Sequence, residues 1–153
     1  MSLTSAGVLL YRRTHGRLEV LLVHPGGPYW RSRHEGAWMI PKGGIEAGES
    51  AEAAARREFE EEVGTALTGP LIPLCRIRQT GGKWVDAFAA EGDIDAEAIS
   101  SNSFEMEWPP RSGKLERYPE VDRAVWLSLE DARALILPSQ TAILDALEIM
   151  LGD

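Results

Sequence analysis

The sequence predicts a mixed β-sheet covered by helices, in the α+β or α/β class. Three observations carry that expectation. Short apolar runs bounded by turn residues stand both before and after one long Ala-, Arg- and Glu-rich run, and amphipathic stretches close the chain. With 153 residues, 44% hydrophobic and 26% charged, the chain can bury one sizeable core, so a single domain over residues 1–153 is expected.

Taken in order, residues 4–13 (TSAGVLLYRR) read as a buried strand and residues 18–25 (LEVLLVHP) as a second. The short Gly-containing link between them makes a hairpin. Residues 26–36 form a loop of Gly, Pro and charge, and AWMI (residues 37–40) reads as a short strand that Pro41 ends. A Gly-rich loop then leads to Ser50, a suitable N-cap, and to a run free of Gly and Pro as far as Gly64, a suitable C′ residue. That run predicts a helix, with Glu52 at the positive end of its dipole. Residues 70–80 and 83–93 predict two strands joined by a Gly81-Gly82 turn, and residues 95–103 a loop. In residues 104–110 the alternation places Glu105 and Glu107 on one face of a strand. Residues 111–122 read as a polar, irregular stretch, and residues 123–129 as a last strand. Ser128 opens a short helix through Leu135, and Ser139 a final one whose Ile143, Leu144, Leu147, Met150 and Leu151 fall at core-facing spacing before Gly152.

The central helix is the chemically informative element. Glu58, Glu61 and Glu62 share one face, beside an apolar stripe of Ala55, Phe59 and Val63. Like charges at this spacing cost roughly 0.2–0.5 kcal/mol per pair in an isolated helix. A solvated acidic helix end is the ordinary reading of such a run. A hard divalent cation is the alternative, because Mg²⁺ takes carboxylate oxygens together with substrate phosphate.

The wider spacing decides between them. From Gly43 the chain reads Gly, five residues, Glu49, seven residues, Arg57-Glu58-Phe59, one residue, Glu61-Glu62, one residue, Gly64. This resembles the Nudix box, G-x5-E-x7-R-E-U-x-E-E-x-G-U, with U a bulky apolar residue. The single departure is Thr65 at the final U, a packing position. Resemblance to the Nudix hydrolases implies an α/β/α sandwich in which the box forms a loop–helix–loop, and hydrolysis of a pyrophosphate bond in a nucleoside diphosphate-linked substrate. It further implies Mg²⁺, with Mn²⁺ as the alternative, on Glu58, Glu61, Glu62 and the Gly43 carbonyl. Arg57 and Glu49 would orient those carboxylates. HPGGPYW, GAWMIPKGG, SNSFEMEWPP and YPEVDRAVW resemble a bacterial subgroup of nucleotide pyrophosphohydrolases similar to the diadenosine polyphosphate hydrolases. The substrate favoured by that likeness is a dinucleoside polyphosphate.

Outside the box the readings divide. Lys42 reaches a phosphate or stays a solvated loop lysine. Gly44, like Gly43, lets the backbone approach metal or phosphate, or simply makes a turn. Tyr29 and Trp30 stack on a base, or pack inward, or sit on a lid. Glu105 and Glu107 are candidates for the extra acidic residue that many members of the family recruit. Arg76, Arg78, Lys83, Arg111 and Lys114 are mostly surface charge. His15, His24 and His34 read as surface residues, and Cys75 as a packed strand residue that, standing alone, forms no intramolecular disulfide.

A net charge of −8 argues against binding along a nucleic-acid backbone, though metal can bridge an acidic protein to a phosphorylated small molecule. No signal peptide or long apolar run is apparent, so cytoplasmic placement without a membrane partner is expected. Nothing in the sequence bears on oligomeric state. The alternative function is a nucleotide-sensing or protein-binding module without turnover; the three helix glutamates and Arg57 argue against it.

Overall fold

The structure is a computed structural model that describes residues 4–79 and 81–152. Its elements are β1 (Thr4–Thr14), β2 (Arg17–Pro25), β3 (Lys42–Gly44), α1 (Ala51–Val63), β4 (Ile72–Arg78), β5 (Trp84–Glu91), β6 (Ser103–Glu107), β7 (Leu115–Pro119), β8 (Val121–Ser128), α2 (Leu129–Leu135) and α3 (Thr141–Leu151), with 3₁₀ turns at Ala96–Ala98 and Pro138–Gln140. The main sheet runs β4-β5-β1-β2-β8, and β3 adds to β1. β1 and β5 are parallel and the other pairs antiparallel, so the sheet is mixed.

Helices cover both faces. Leu9, Val20 and Leu22 point to one face, against Ala132, Ile136, Ile143, Leu144 and Leu147 of α2, α3 and their link. Val8, Leu10, Leu21 and Val23 point to the other, against Ala54, Ala55, Phe59 and Val63 of α1. Central strands buried on both sides read as unbroken apolar runs, which is why VLLY and VLLV carry no alternation. The result is the expected α/β/α arrangement.

The site is placed by a divergence between β1 and β2. Their pairing covers Tyr11 to Thr14 on β1, whereas Ser5 to Gly7 pair instead with β3. Into the gap runs the segment before the box: Met39 exchanges both backbone hydrogen bonds with Val23, and Val8 N–H donates to the Pro41 carbonyl. The expected strand at residues 37–40 is therefore absent. Trp38 bonds to Leu135 and Leu137 while Met39 bonds to Val23, so neighbouring residues take different partners and only isolated bridges form. The strand is instead β3, inside the Gly-rich stretch read as a loop.

Two further expectations need correction. The stretch read as irregular, residues 111–122, contains β7, which pairs with β6 from Ser103–Pro119 to Glu107–Leu115. This two-stranded ribbon stands off the main sheet, so no core-facing alternation marks its second strand. His24 is not a surface residue but is 2% exposed. Thr80, expected to end a strand, lies outside the described residues. Among the described residues no helix is long and apolar enough to cross a membrane.

Helix α1 ends as its caps dictate. Ser50 accepts from Ala53 N–H, and Gly64, at φ 89°, donates its N–H to the Glu60 carbonyl. A Cβ at Gly64 would lie 2.7 Å from the Ser100 carbonyl oxygen. Gly64→Ala is expected to lose about 1–2 kcal/mol of stability from the left-handed conformation alone, read as a lower urea midpoint with an unchanged slope.

Candidate active site

The residues of the box converge on one guanidinium. Arg57 Nε and Nη2 grip both oxygens of Glu49, at 2.8 and 3.0 Å. Nη2 also donates to the Gly44 carbonyl at 2.9 Å. Nη1 donates to Glu58 Oε1 at 2.8 Å and lies 3.3–3.4 Å from the Glu61 oxygens. One side chain thus joins the loop, the end of β3 and the acidic face of α1. Glu49 also accepts from Glu46 N–H. The Arg57 hydrogen bond, and then that backbone N–H, hold the Glu49 carboxyl at about 2, well below its ordinary 4.5. The same carboxylates, Glu49 foremost, raise the Arg57 pKa.

Glu62 sits on the inner side of the helix and is 8% exposed. Its Oε2 accepts from the backbone N–H of Lys42 at 3.1 Å. Burial, and then the charges of Glu58 and Glu120, push its carboxyl up to about 9. Burial also lowers the Lys42 ammonium, with Lys83 adding to that effect and the charges of Glu62 and Glu58 opposing it. Gly43 completes the cradle. A Cβ there would overlap the Glu58 carboxylate, so bare backbone lies directly against that side chain.

The acid outside the box that shares this field is Glu120, in the link between β7 and β8. Partial desolvation raises its carboxyl first, followed by the charges of Glu58 and Glu61. Backbone bonds carry the chain there: Asn102 N–H donates to the Glu61 carbonyl and Glu120 N–H to the Asn102 carbonyl, both at 2.8 Å. Glu105 and Glu107 are engaged within their own hairpin. Glu105 meets Arg117 at 3.3 Å, and Glu107 Oε1 accepts from Arg111 N–H at 2.6 Å. Sequence reasoning missed Glu120 because it belongs to YPEVD, the stretch read as irregular. Recognising β7 as a strand would have placed Glu120 in a tight link between two strands.

Tyr29 and Trp30 lie in the loop of residues 26–36, which Gly26 N–H anchors to the Glu120 carbonyl at 2.9 Å. Tyr29 is 55% exposed. Its ring meets Trp30 edge-on and carries the Arg33 guanidinium 4.2 Å above it. Arg76 pairs with Asp86. A cavity of about 420 Å³ opens elsewhere, beside β8, walled by Glu97, Ile99, Asp122, Arg123, Ala124 and Trp126; no box residue lines it. Among the described residues, no three His, Cys, Asp or Glu side chains converge as they stand on one point fit for a metal ion. Arg57 takes Glu58 and Glu61, and the Lys42 N–H takes Glu62.

Known proteins resemble this chain in sequence and in fold. The model of the NUDIX domain matches residues 1–147. The chain belongs to the NUDIX family. An RNA pyrophosphohydrolase of Rhodospirillum rubrum is 44% identical over 64 residues, which is 40% of this NUDIX chain and 37% of that protein. The chain therefore matches little more than a third of that curated relative's length. An Ap4A hydrolase of C. elegans, solved as a binary complex, shares the fold at a TM-score of 0.68 with 23% identity, over 97% of this chain and 98% of its own. The NUDIX domain of NrtR from Shewanella oneidensis, complexed with ADP ribose, also reaches 0.68, at 19% identity over 99% of this chain and 89% of its own. These likenesses show that the NUDIX fold is shared.

The Arg57–Glu49 pair sets an acid dependence. Glu49 has a depressed pKa in the folded protein, so its contribution to stability is present above the ordinary carboxylate pKa of 4.5 and is lost as pH falls toward about 2. Urea titrations of wild type and Glu49→Gln should therefore differ most at neutral pH and draw together between pH 4.5 and 2.

Proposed function

We propose that this single NUDIX domain hydrolyses a pyrophosphate bond in a nucleoside diphosphate-linked substrate. The observation that carries the reading is the Arg57 cluster, in which one cation fixes Glu49, Glu58 and Glu61 against the β3 backbone. The donor set fits a hard divalent cation: carboxylate oxygens of Glu58, Glu61 and Glu62, the Gly43 carbonyl, and a backbone cradle that any side chain would fill. Mg²⁺ is the proposed ion, with Mn²⁺ as the alternative. When bound, such an ion neutralises adjoining phosphates and lowers the pKa of a coordinated water.

The chain's own residues do the rest. Arg57 holds the Glu58 and Glu61 carboxylates in place, and Glu49 holds Arg57. The Lys42 N–H holds Glu62 Oε2. The Lys42 ammonium, beside Gly43 and Gly44, supplies positive charge to phosphate. Glu120 contributes a fourth carboxylate to the same field. Tyr29 and Trp30 offer ring faces to a base, whereas Glu107 serves the turn at Arg111.

A dinucleoside polyphosphate is the favoured substrate, supported by the full-length fold likeness to an Ap4A hydrolase. The 5′ end of an RNA is the second reading, favoured by the 44% identity with an RNA pyrophosphohydrolase. The net charge of −8 weighs against a long RNA contact.

The test is hydrolysis of a panel (dinucleoside polyphosphates, nucleoside triphosphates, ADP-ribose, diphosphoinositol polyphosphates and 5′-triphosphorylated RNA) with and without Mg²⁺, products separated by chromatography. Wild type should turn over at least one member, and Glu61→Gln should lose about a hundredfold or more of that rate. Unchanged rates in Glu61→Gln would refute the metal-site assignment. Binding without turnover across the panel would leave a sensing module in its place.

A further inference from the structure

His24, on β2, is a buried polar side chain that the proposed chemistry does not use. Both its ring nitrogens are engaged: Nδ1 lies 2.8 Å from Asp122 Oδ1, and Nε2 lies 2.6 Å from the Arg33 carbonyl oxygen. A carbonyl only accepts, so Nε2 is the donor to Arg33, and Nδ1 faces the Asp122 carboxylate. The ring is packed against Trp38 at 5.1 Å and stacks on His34 at 5.5 Å. The Arg123 guanidinium covers Trp38 at 5.5 Å.

The two hydrogen bonds lead to different parts of the candidate site. Arg33 closes the loop of residues 26–36. Its Nε donates to the Tyr29 carbonyl at 3.0 Å, its guanidinium lies over the Tyr29 ring, and its N–H donates to the Trp30 carbonyl. Asp122 stands two residues after Glu120, at the start of β8, where the pairing with β2 shifts register. One imidazole therefore joins the aromatic loop to the strand that follows the fourth carboxylate. A histidine buried only for packing would need partners for its two nitrogens, but not partners in these two places.

We propose that His24 is a positioning residue with two separable arms. Through Nε2 it fixes the loop that presents Tyr29 and Trp30 to the nucleoside. Through Nδ1 and Asp122 it fixes the start of β8, and with it Glu120 beside the box carboxylates. The proposal rests on the pyrophosphohydrolase reading given above.

Two amide replacements separate the arms, because a glutamine nitrogen reaches the place of Nε2 and an asparagine nitrogen that of Nδ1. His24→Asn gives up the Arg33 tether and should raise KM about fivefold, with kcat kept, on the substrate found in the panel. His24→Gln gives up Asp122 and should lower kcat about fivefold, with KM kept. Amide hydrogen exchange supplies a readout free of activity: residues 26–36 should exchange faster in His24→Asn and unchanged in His24→Gln. Equal changes of KM and kcat in both variants, or unaltered exchange of the loop in His24→Asn, would overturn the proposal. Should wild type turn over no nucleotide, the exchange experiment still decides the tether, and the functional reading fails by itself. Should either His24 variant fail to fold, Asp122→Ala, at a partly exposed position, reads the second arm: a kcat loss with KM kept supports it, and unchanged kcat refutes it.

Discussion

The site depends on the contact between Arg57 and four oxygen-bearing partners. A helix that places Glu58, Glu61 and Glu62 on one face accumulates repulsion, and nothing in the apolar stripe beneath can offset it. Arg57 does so from within the same helix. Its fork is planar and rigid, so one group grips Glu49 with two parallel bonds and still turns a third nitrogen to Glu58 and Glu61. A lysine at this position would bring a point charge without the fork. The bond to the Gly44 carbonyl also fastens the helix to β3, hence to β1. The acidic face and the glycine backbone that opposes it are thereby held by one side chain, while Phe59, wholly buried, anchors the other side of the helix in the core.

Burial settles the rest of the charge balance. Glu62 faces inward, and loss of solvent pushes its carboxyl up to about 9. Arg57 binds two of the three carboxylates on α1, and the third is turned from solvent against the Lys42 N–H. Lys42 is moved in the opposite direction by the same loss of solvent. Its backbone N–H, rather than its ammonium, makes the hydrogen bond to Glu62. The three glutamates thus differ in their partners and burial, although they are identical in residue type.

What could be read from the sequence was what the chain specifies locally. Helix α1 was legible to its caps, since Ser50 and Gly64 each act on backbone groups within one turn. The buried strands were legible because burial on two faces leaves an unbroken apolar run. The Glu49–Arg57 pairing followed from the box. By contrast, β7 is an exposed strand of a small ribbon and is defined by its partner β6, not by its own pattern. The AWMI segment is apolar because it is buried, yet it fills a gap between strands instead of extending one. Glu120 is missed in the sequence, and His24 is read there as a surface residue, for the same reason. Each acquires its meaning from residues far along the chain, Glu58 and Glu61 for one and Asp122 for the other, and spacing in sequence does not report that distance.

This division between local and distant has a consequence for substrate choice. The box unit is built almost entirely from residues 42–64, and the same fold accommodates proteins described with Ap4A and with ADP ribose at 19–23% identity. Under the proposed function this unit acts on the phosphate bond, and the choice of nucleoside falls to residues outside it. The loop of residues 26–36 and the β6–β7 hairpin lie outside that unit, and both are fastened at the same place. Gly26 N–H bonds the carbonyl of Glu120, the residue that follows β7, and His24 ties Arg33 to Asp122 just beyond it. Both segments therefore meet the chain at Glu120, in the link that leads into β8. Under the proposed function, the loop that meets the nucleoside and the position of Glu120 are tied by these same bonds, so a change of side chain in one reaches the other through Gly26, His24 and Asp122.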